Sequence, residues 1–400
     1  MVEPMDDGGL DGVVLTGAPL KIAIVLDDSI DRPDGVQQYA LTLGGYLQQA
    51  GHTVHYVCSD ASRTDVTVYS LARNMAVKFN GNGLRVPLPT SRKVLREFLA
   101  RERYDVIHVQ TPHSPLFAAR VVDEARRVQA GAVRIVATFH ILPDGPLSSF
   151  GTHLLGKVLR RNLRKFDAFA AVSAPAAVFA RDAFGIDCVV IPNAVDTAAF
   201  AGAVKHERPM RGPGDPLVVA FLGRLVERKG ALELVEALGA LPREMVTQLD
   251  VRIGGKGPLL RDLEAAIATH GLGEEVTLLG FVSEADKPQF YADADLAVFP
   301  ATGGESFGIV LIEAMASGSG VVMGGDNPGY RSVLGERAEV TVDARDADAF
   351  AASLARVIND SSLRATIHAE QTALLAAYDI RVTGAAMLEL YRGADAAANR

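Results

Sequence analysis

The segment 303–313 (GGESFGIVLIE) holds the densest set of residues able to do chemistry. It follows an apolar strand pattern at 296–300 and opens a helix. Its glycines permit close backbone approach. The helix start at Ser306, Phe307, Gly308 and Ile309 offers unpaired N–H groups and a partial positive charge that suit a phosphate. Glu305 and Glu313 stand eight positions apart, roughly 12 Å along a helix. At that distance they do not share a proton. They can accept hydrogen bonds from hydroxyls at opposite ends of a long ligand, or equally serve the helix dipole and a solvated face.

Two cations, Arg224 and Lys229, lie in GRLVERKG (223–230), directly after a strand pattern at 217–222. Arg in bidentate fashion and Lys as a point charge can clamp a diphosphate; ordinary loop cations are the competing reading. The run Gly254-Gly255-Lys256-Gly257-Pro258 is again strand, loop, helix. It matches neither the dinucleotide fingerprint nor the P-loop, and a tight turn explains it as well. His140 closes the strand pattern 133–140 (VRIVATFH), as a satisfied structural residue or as a group at a cleft. Asp293 and Asp295 form a D-x-D pair of the kind that holds a metal diphosphate. The pair precedes its strand, at the end away from any cleft, and reads as structural. No H-x-x-x-H occurs, which disfavours metal hydrolases.

Such residues need strand ends to hold them. Short β-branched runs at 20–26, 53–58, 105–109, 133–138, 168–172 and 188–191 mostly alternate with helical patterns, the first at 36–50. Continuous apolar strands separated by helices are typical of parallel sheets covered on both faces. The stretch 201–216 (AGAVKHERPMRGPGDP) breaks the rhythm with three prolines and three glycines. Strand patterns resume at 217–222, 250–253, 276–279, 296–299, 321–323 and 340–342, with helices at 231–239, 258–270 and 307–317. The expected fold is α/β, with two doubly wound Rossmann-like domains at 21–205 and 217–378. A disordered leader (1–20), a linker (206–216) and a final helical segment (379–400) complete it. Ligands bind beyond the carboxyl ends of such strands. There the sequence places Asp27, Asp28, His140, Arg224, the 254–257 glycines and Glu305.

Composition fits that picture. The 400 residues are 48% apolar and 22% charged, enough apolar material for two cores. The net charge of −8 argues against a surface that wraps duplex nucleic acid. Residues 1–205 carry 22 basic and 20 acidic side chains, and 206–400 carry 18 and 28, so the first half favours anionic partners more. Residues 1–20 hold four acids and no Lys or Arg, the wrong charge for a signal peptide. No apolar run approaches the roughly 18–20 residues of a spanning helix. The expectation is a soluble, cytoplasmic chain. Cys58 and Cys188 cannot build a disulfide framework and read as buried, inert thiols.

Taken together the residues resemble the family-4 retaining glycosyltransferases of the GT-B fold, over about 21–392. The carriers are Glu305-x7-Glu313 with its SFG start, GRLVERKG, IPNAVD at 191–196, LGFV at 279–282 and ADADLAVFP at 292–300, in family order. The resemblance implies two domains facing a central cleft, with the last helix packed back on the first domain. It implies a catalytic set of His140, Glu305, Arg224 and Lys229. Arg224 and Lys229 would bind the donor diphosphate, Glu305 the transferred sugar, Glu313 the ribose, and the Phe281–Val282 backbone the base. Ser306, Phe307, Gly308 and Ile309, with Gly35, Gly223 and Gly255, would complete the donor contacts, and His140 would lie near the reacting carbon. Transfer would retain anomeric configuration by front-side attack, with no obligatory metal or cofactor beyond the nucleotide-sugar co-substrate.

The first half is similar, more narrowly, to phosphatidylinositol mannosyltransferases. Pro33-Asp34-Gly35-Val36-Gln37 matches their Pro-Gly-Gly-Val-Gln loop, and Thr138-Phe139-His140 their T-F-H. The order from 57 through Phe79-Asn80-Gly81 to SRKVLREF (91–98) runs parallel. This implies GDP-mannose as donor, with UDP-glucose or UDP-N-acetylglucosamine open, and a lipid or small-molecule acceptor touched by Asp31, Gly35, Gln37 and Thr138. Asp34 for the first loop glycine, Asp28 for an aromatic, and Ala194 for the usual glycine of IPNAVD depart from the pattern.

From 145 to 166 there is no acidic residue, but there are Lys157, Arg160, Arg161, Arg164 and Lys165, with leucines at helical spacing. That reads as a basic amphipathic helix for an anionic membrane surface, with Arg92, Lys93 and Arg96 as a second patch. It would make the protein peripheral on the inner face of the plasma membrane. A helix packed on its own sheet is the competing reading. Two other functions share the architecture: a nucleotide-sugar epimerase, which would convert donor with no acceptor present, and a non-catalytic nucleotide-sugar binder.

Overall fold

The computed structural model describes residues 17–32, 34–79, 82–140, 159–206 and 214–393. Strands appear where continuous apolar runs were expected. They are β1 (Lys21–Val25), β2 (Thr53–Cys58), β3 (Val68–Ser70), β4 (Asn74–Phe79), β5 (Asn82–Pro87), β6 (Val106–Val109), β7 (Arg134–Phe139), β8 (Ala168–Ala171) and β9 (Val189–Val190). The second half adds β10 (Leu217–Leu222), β11 (Leu249–Gly254), β12 (Val276–Gly280), β13 (Leu296–Phe299), β14 (Val321–Gly325) and β15 (Thr341–Val342). They form two parallel sheets, ordered β3-β2-β1-β6-β7-β8-β9 and β12-β11-β10-β13-β14-β15. Such parallel strands need helical crossovers, which cover both faces. Accordingly Ile22 and Ile24 on one face of β1 and Val25 on the other are all fully buried.

The first sheet reverses its strand order between β1 and β6, the second between β10 and β13. The halves are joined through one apolar cluster that includes Phe139, Ala176 and Phe184 from the first and Leu311, Tyr330 and Val333 from the second. Ser173 donates its hydroxyl to the Ser306 carbonyl across the same boundary. The chain then returns. Ile380 N donates to the Val195 carbonyl at 3.0 Å, and the helix Ile380–Arg392 sets Met387, Leu388 and Tyr391 into the core of the first sheet. We propose the division into two domains at this returning crossing and at the segment before β10. Residues 1–16 of the expected leader and 207–213 of the expected linker lie outside the described residues.

Three strands escaped the sequence reading. β3 is three residues long and β4 pairs only with β5, antiparallel. Among the described residues no helix is long and apolar enough to cross a membrane. Cys58 is buried, but Cys188 is only half-buried, a correction to its expected burial. Burial pushes both thiols up, to about 11 and about 12, so neither forms a thiolate readily.

Candidate active site

The two reversal points face each other, and the residues singled out in the sequence gather there. Asp27 and Asp28 follow β1, His140 follows β7, Arg224 follows β10 and Glu305 follows β13. A Cβ on Gly35 would lie 3.8 Å from Ile309 Cγ2. The first turn of the helix Gly35–Gln49 therefore meets the first turn of the helix Ile309–Ala316. Neither helix has a side-chain cap or an acidic residue in its first turn. Two sets of unpaired N–H groups thus border one gap, and both dipoles favour negative charge there.

The second sheet supplies the charges. Residues Glu227–Lys229 form a single 3-10 turn. Gly230 follows at φ +76, where a Cβ would sit 2.0 Å from the Pro300 carbonyl oxygen. Only glycine lets this turn press against the end of β13. The contact delivers Lys229 Nζ and Arg228 Nη1 to the same oxygen, Glu305 Oε1, each at 2.7 Å. Burial pulls Lys229 below its ordinary range, opposed by Glu305 and helped by Arg228 and Arg224. Arg224 is exposed and is not part of the Glu305 pairing. Arg228, which sequence reasoning passed over inside GRLVERKG, takes that place. Three cations against one carboxylate leave the cluster positive. Gly308 stands at φ +104 with the Tyr330 ring 2.5 Å from where a Cβ would be, so the turn before Ile309 is closed to any side chain.

Glu313 is 4% exposed. Its carboxyl, pushed up by burial, accepts from Lys287 Nζ at 3.2 Å. No motif pointed to Lys287. Phe281 is 62% exposed, with the Lys256 ammonium 5.5 Å from its ring centre. Val282 packs beside Gly254, and the Gly255 amide donates to the Gly280 carbonyl at 2.6 Å. The 254–258 loop is thus a tight turn stacked beside Gly223, whose carbonyl oxygen would be 1.8 Å from a Gly255 Cβ. Asp295 is buried and accepts from the Val218 amide at 2.8 Å, the structural role expected of it.

The first sheet presents a different surface. His140 Nε2 lies 2.9 Å from Gln110 Oε1, and its ring meets Tyr39 edge-on at 4.9 Å. Burial pushes His140 down to about 3, helped by His113, and also pushes His108 to about 3 and His113 to about 4. Three of the residues expected to touch an acceptor are otherwise engaged. Thr138 is fully buried with its hydroxyl 2.7 Å from His108 Nε2. Gln37 is buried and donates to the Ser29 carbonyl at 3.1 Å. Asp31 accepts from Ser62 N at 2.7 Å and Ser62 Oγ at 2.9 Å. Thr138 inside β7, Gln37 inside the helix Gly35–Gln49 and Asp31 in the loop before it each hold a partner within the first half; Gly35 stands at the gap. Asp27 likewise caps the helix Phe117–Gln129 through the Ala118 amide at 2.7 Å. The two departing carboxylates, Asp28 and Asp34, are bridged by Arg32, at 3.1 Å from each.

The basic patches divide. Arg92 pairs with Asp123 and Glu124, Arg96 with Glu124, and Lys165 with Asp123, so these three are not free for lipid. Lys93 is exposed. In the segment from 159, Leu159 and Leu163 are buried in the core and Phe166 packs against it, so this apolar face belongs to the protein and not to a bilayer. Arg160, Arg161 and Arg164 stay exposed. Lys157 and the leucines before it lie outside the described residues.

Two family models match the chain: Glycosyltransferase Family 4 over residues 33–199 and Glycosyl transferases group 1 over 205–372. The chain is 34% identical over 380 residues to a phosphatidyl-myo-inositol mannosyltransferase of Mycolicibacterium smegmatis, covering 93% of each. It is 28% identical to a GDP-mannose-dependent alpha-(1-6)-phosphatidylinositol monomannoside mannosyltransferase of the same organism, over 92% of this chain and 98% of the other. A glycosyltransferase structure from Rickettsia africae superposes with a TM-score of 0.70 at 18% identity, covering 94% of this chain and 98% of that one.

Proposed function

This chain belongs to the family-4 glycosyltransferases of the GT-B fold, and from that premise we propose that it transfers mannose from GDP-mannose to a hydroxyl of an inositol-type membrane lipid. The observation that carries the reading is the positive cluster on Glu305 beside two uncapped helix starts. It suits a nucleotide diphosphate leaving group. The mannosyltransferase names of relatives that span nearly the whole chain support the sugar and the acceptor class.

In this reading Lys229, Arg228 and Arg224 take the diphosphate, with the amides at Phe307, Gly308 and Ile309. Glu305, released from part of its cation load, accepts the hydroxyls of the transferred sugar. Glu313 holds the ribose and Phe281 flanks the base. His140 meets the sugar from the other side of the gap. Charge growing on the departing diphosphate is met by fixed cations and amides, which stabilise the transition state more than the ground state. The family resemblance implies attack from the face the diphosphate leaves, with configuration retained. Exposed Arg160, Arg161 and Arg164 give the first half a cationic face toward anionic lipid.

The test is incubation of the enzyme with GDP-mannose, UDP-glucose or UDP-N-acetylglucosamine and phosphatidylinositol vesicles. Mannolipid from GDP-mannose alone is the expected product. Epimerisation of a donor's sugar with no acceptor present would replace this reading with the epimerase.

A further inference from the structure

Gln110 stands directly beyond β6, where the first sheet reverses, and is fully buried. Its side-chain oxygen faces His140 Nε2 at 2.9 Å. A carboxamide oxygen only accepts, so with the amide in this orientation the imidazole nitrogen that faces it carries the proton, and the reversed amide would call for the opposite tautomer. The other end of the amide, Gln110 Nε2, is buried with no hydrogen-bond partner. Leaving a buried donor unmade is costly, and such a cost persists where a site needs the group oriented. Tyr39 holds the same ring edge-on at 4.9 Å. The imidazole is thus fixed on one nitrogen and one face.

We propose that Gln110 is a positioning residue, which holds His140 in the Nε2–H tautomer so that Nδ1 is left as the ring's lone-pair acceptor toward the transferred sugar. This rests on the reading above that sets His140 against that sugar. The chemistry favours it. As the diphosphate leaves, positive charge grows at the anomeric carbon. An imidazolium there would raise the barrier, whereas a neutral ring with a lone pair accepts a sugar hydroxyl and does not. The titratable neighbours among the described residues are Tyr39 from the helix Gly35–Gln49, His108 of β6 and His113 of the loop beyond β6. No carboxylate or cation among them bonds the ring. Burial pushes His140 down to about 3, so the ring stays neutral across the working range.

The experiment begins with the wild-type protein. Long-range proton–nitrogen spectra of histidine-labelled enzyme, assigned with His140→Gln, should show Nε2 protonated and Nδ1 bare from about pH 5 to 8. Gln110→Leu should mix the tautomers and lower kcat about tenfold to a hundredfold, with the donor KM little changed. Gln110→Glu puts a carboxylate on the ring and raises its pKa. Its rate–pH profile, read as donor hydrolysis without acceptor, should gain an acidic limb that the wild type lacks. A proton on Nδ1 in the wild type, or titration inside that range, overturns the lock. The stated tautomer with kcat unchanged in both variants overturns the placing of His140 against the sugar and the role of Gln110 with it. Failure of transfer to inositol lipid leaves both readouts intact, since neither uses the acceptor.

Discussion

The two walls of the gap are built on opposite electrostatic plans. The wall from β10 and β13 carries unbalanced charge: Arg228 and Lys229 share one carboxylate, Glu305, and Arg224 adds its charge beside Lys229. The wall from β1, β6 and β7 carries almost none of its own. Its imidazoles at 108, 113 and 140 are all held neutral by burial, and its two unusual aspartates are spanned by Arg32. A surplus cation waits for an anionic ligand, because only a ligand can complete its pairing. A wall of neutral imidazoles and bridged carboxylates selects by shape and hydrogen bonding rather than by net charge. On the proposed function, the first wall binds the donor by charge and the second decides what approaches it.

The sharpest way to break that contrast is to remove charge from the donor wall. Lys229→Ala and Arg228→Ala should each lower kcat by about a hundredfold to a thousandfold, the cost of one fixed donor at developing charge. Steady-state assays with saturating donor check this, with circular dichroism to show that the sheets persist. Wild-type turnover in either variant would dismiss the charge-driven reading of this wall.

Gly308→Ala should come next. It forces a side chain to φ +104 and against Tyr330, costing about 1–2 kcal/mol in conformation before any clash. The expected outcome is a lower melting temperature and a donor KM raised about tenfold. Thermal shift with and without GDP-mannose separates the two effects. A variant that melts lower yet binds donor unchanged would show that the helix start at Ile309 does not serve the diphosphate.

How far the sequence revealed each wall follows from the same contrast. The residues proposed to hold the donor stand out in the sequence, because glycines, cations and carboxylates cluster there directly after strand patterns. Glu305 and Lys229 were legible in this way, and the βαβ rhythm fixed both sheets. Arg228 was hidden because three basic residues share GRLVERKG, and only the single 3-10 turn decides which of them reach Glu305. Lys287 was hidden because its partner Glu313 is 26 residues away. On the other wall the types that suggested an acceptor site, Asp31, Gln37 and Thr138, are the same types that cap turns and fill buried networks. Nothing in local spacing separates the two uses; only the partners Ser62, Ser29 and His108 do.

The neutral wall should be vulnerable to acid. His108 is fully buried between Thr138 and Tyr391, with its pKa pushed to about 3 from the 6.5 of an exposed histidine. The unfolded chain therefore binds a proton before the folded one does. Stability is whole above about pH 6.5 and falls as pH drops toward 3, by about 2 kcal/mol at pH 5 for this one residue. Urea unfolding at pH 7 and pH 5 should show the loss, and His108→Gln should shrink it. A flat profile in the wild type would mean that the folded ring takes up its proton as readily as the unfolded one.

The smallest effect tests what Arg32 does between its two aspartates. Exposed ion pairs contribute about 0–1 kcal/mol, so Arg32→Ala should hardly move the melting temperature. It leaves Asp28 and Asp34 unbalanced beside Gly35, the point where the two walls touch. Donor KM should stay within about twofold, because the diphosphate cations lie on the other wall, while acceptor KM for an anionic lipid should rise about threefold to fivefold, the factor that up to 1 kcal/mol commands. The acceptor effect should shrink at high salt, since screening weakens repulsion between exposed charges. Equal changes in both KM values would merge the two walls into one electrostatic unit. A change in acceptor KM alone would place acceptor choice in the loop where this chain departs from its relatives' pattern, and would make Arg32 the residue that lets a loop with two added carboxylates receive a phosphorylated lipid at all.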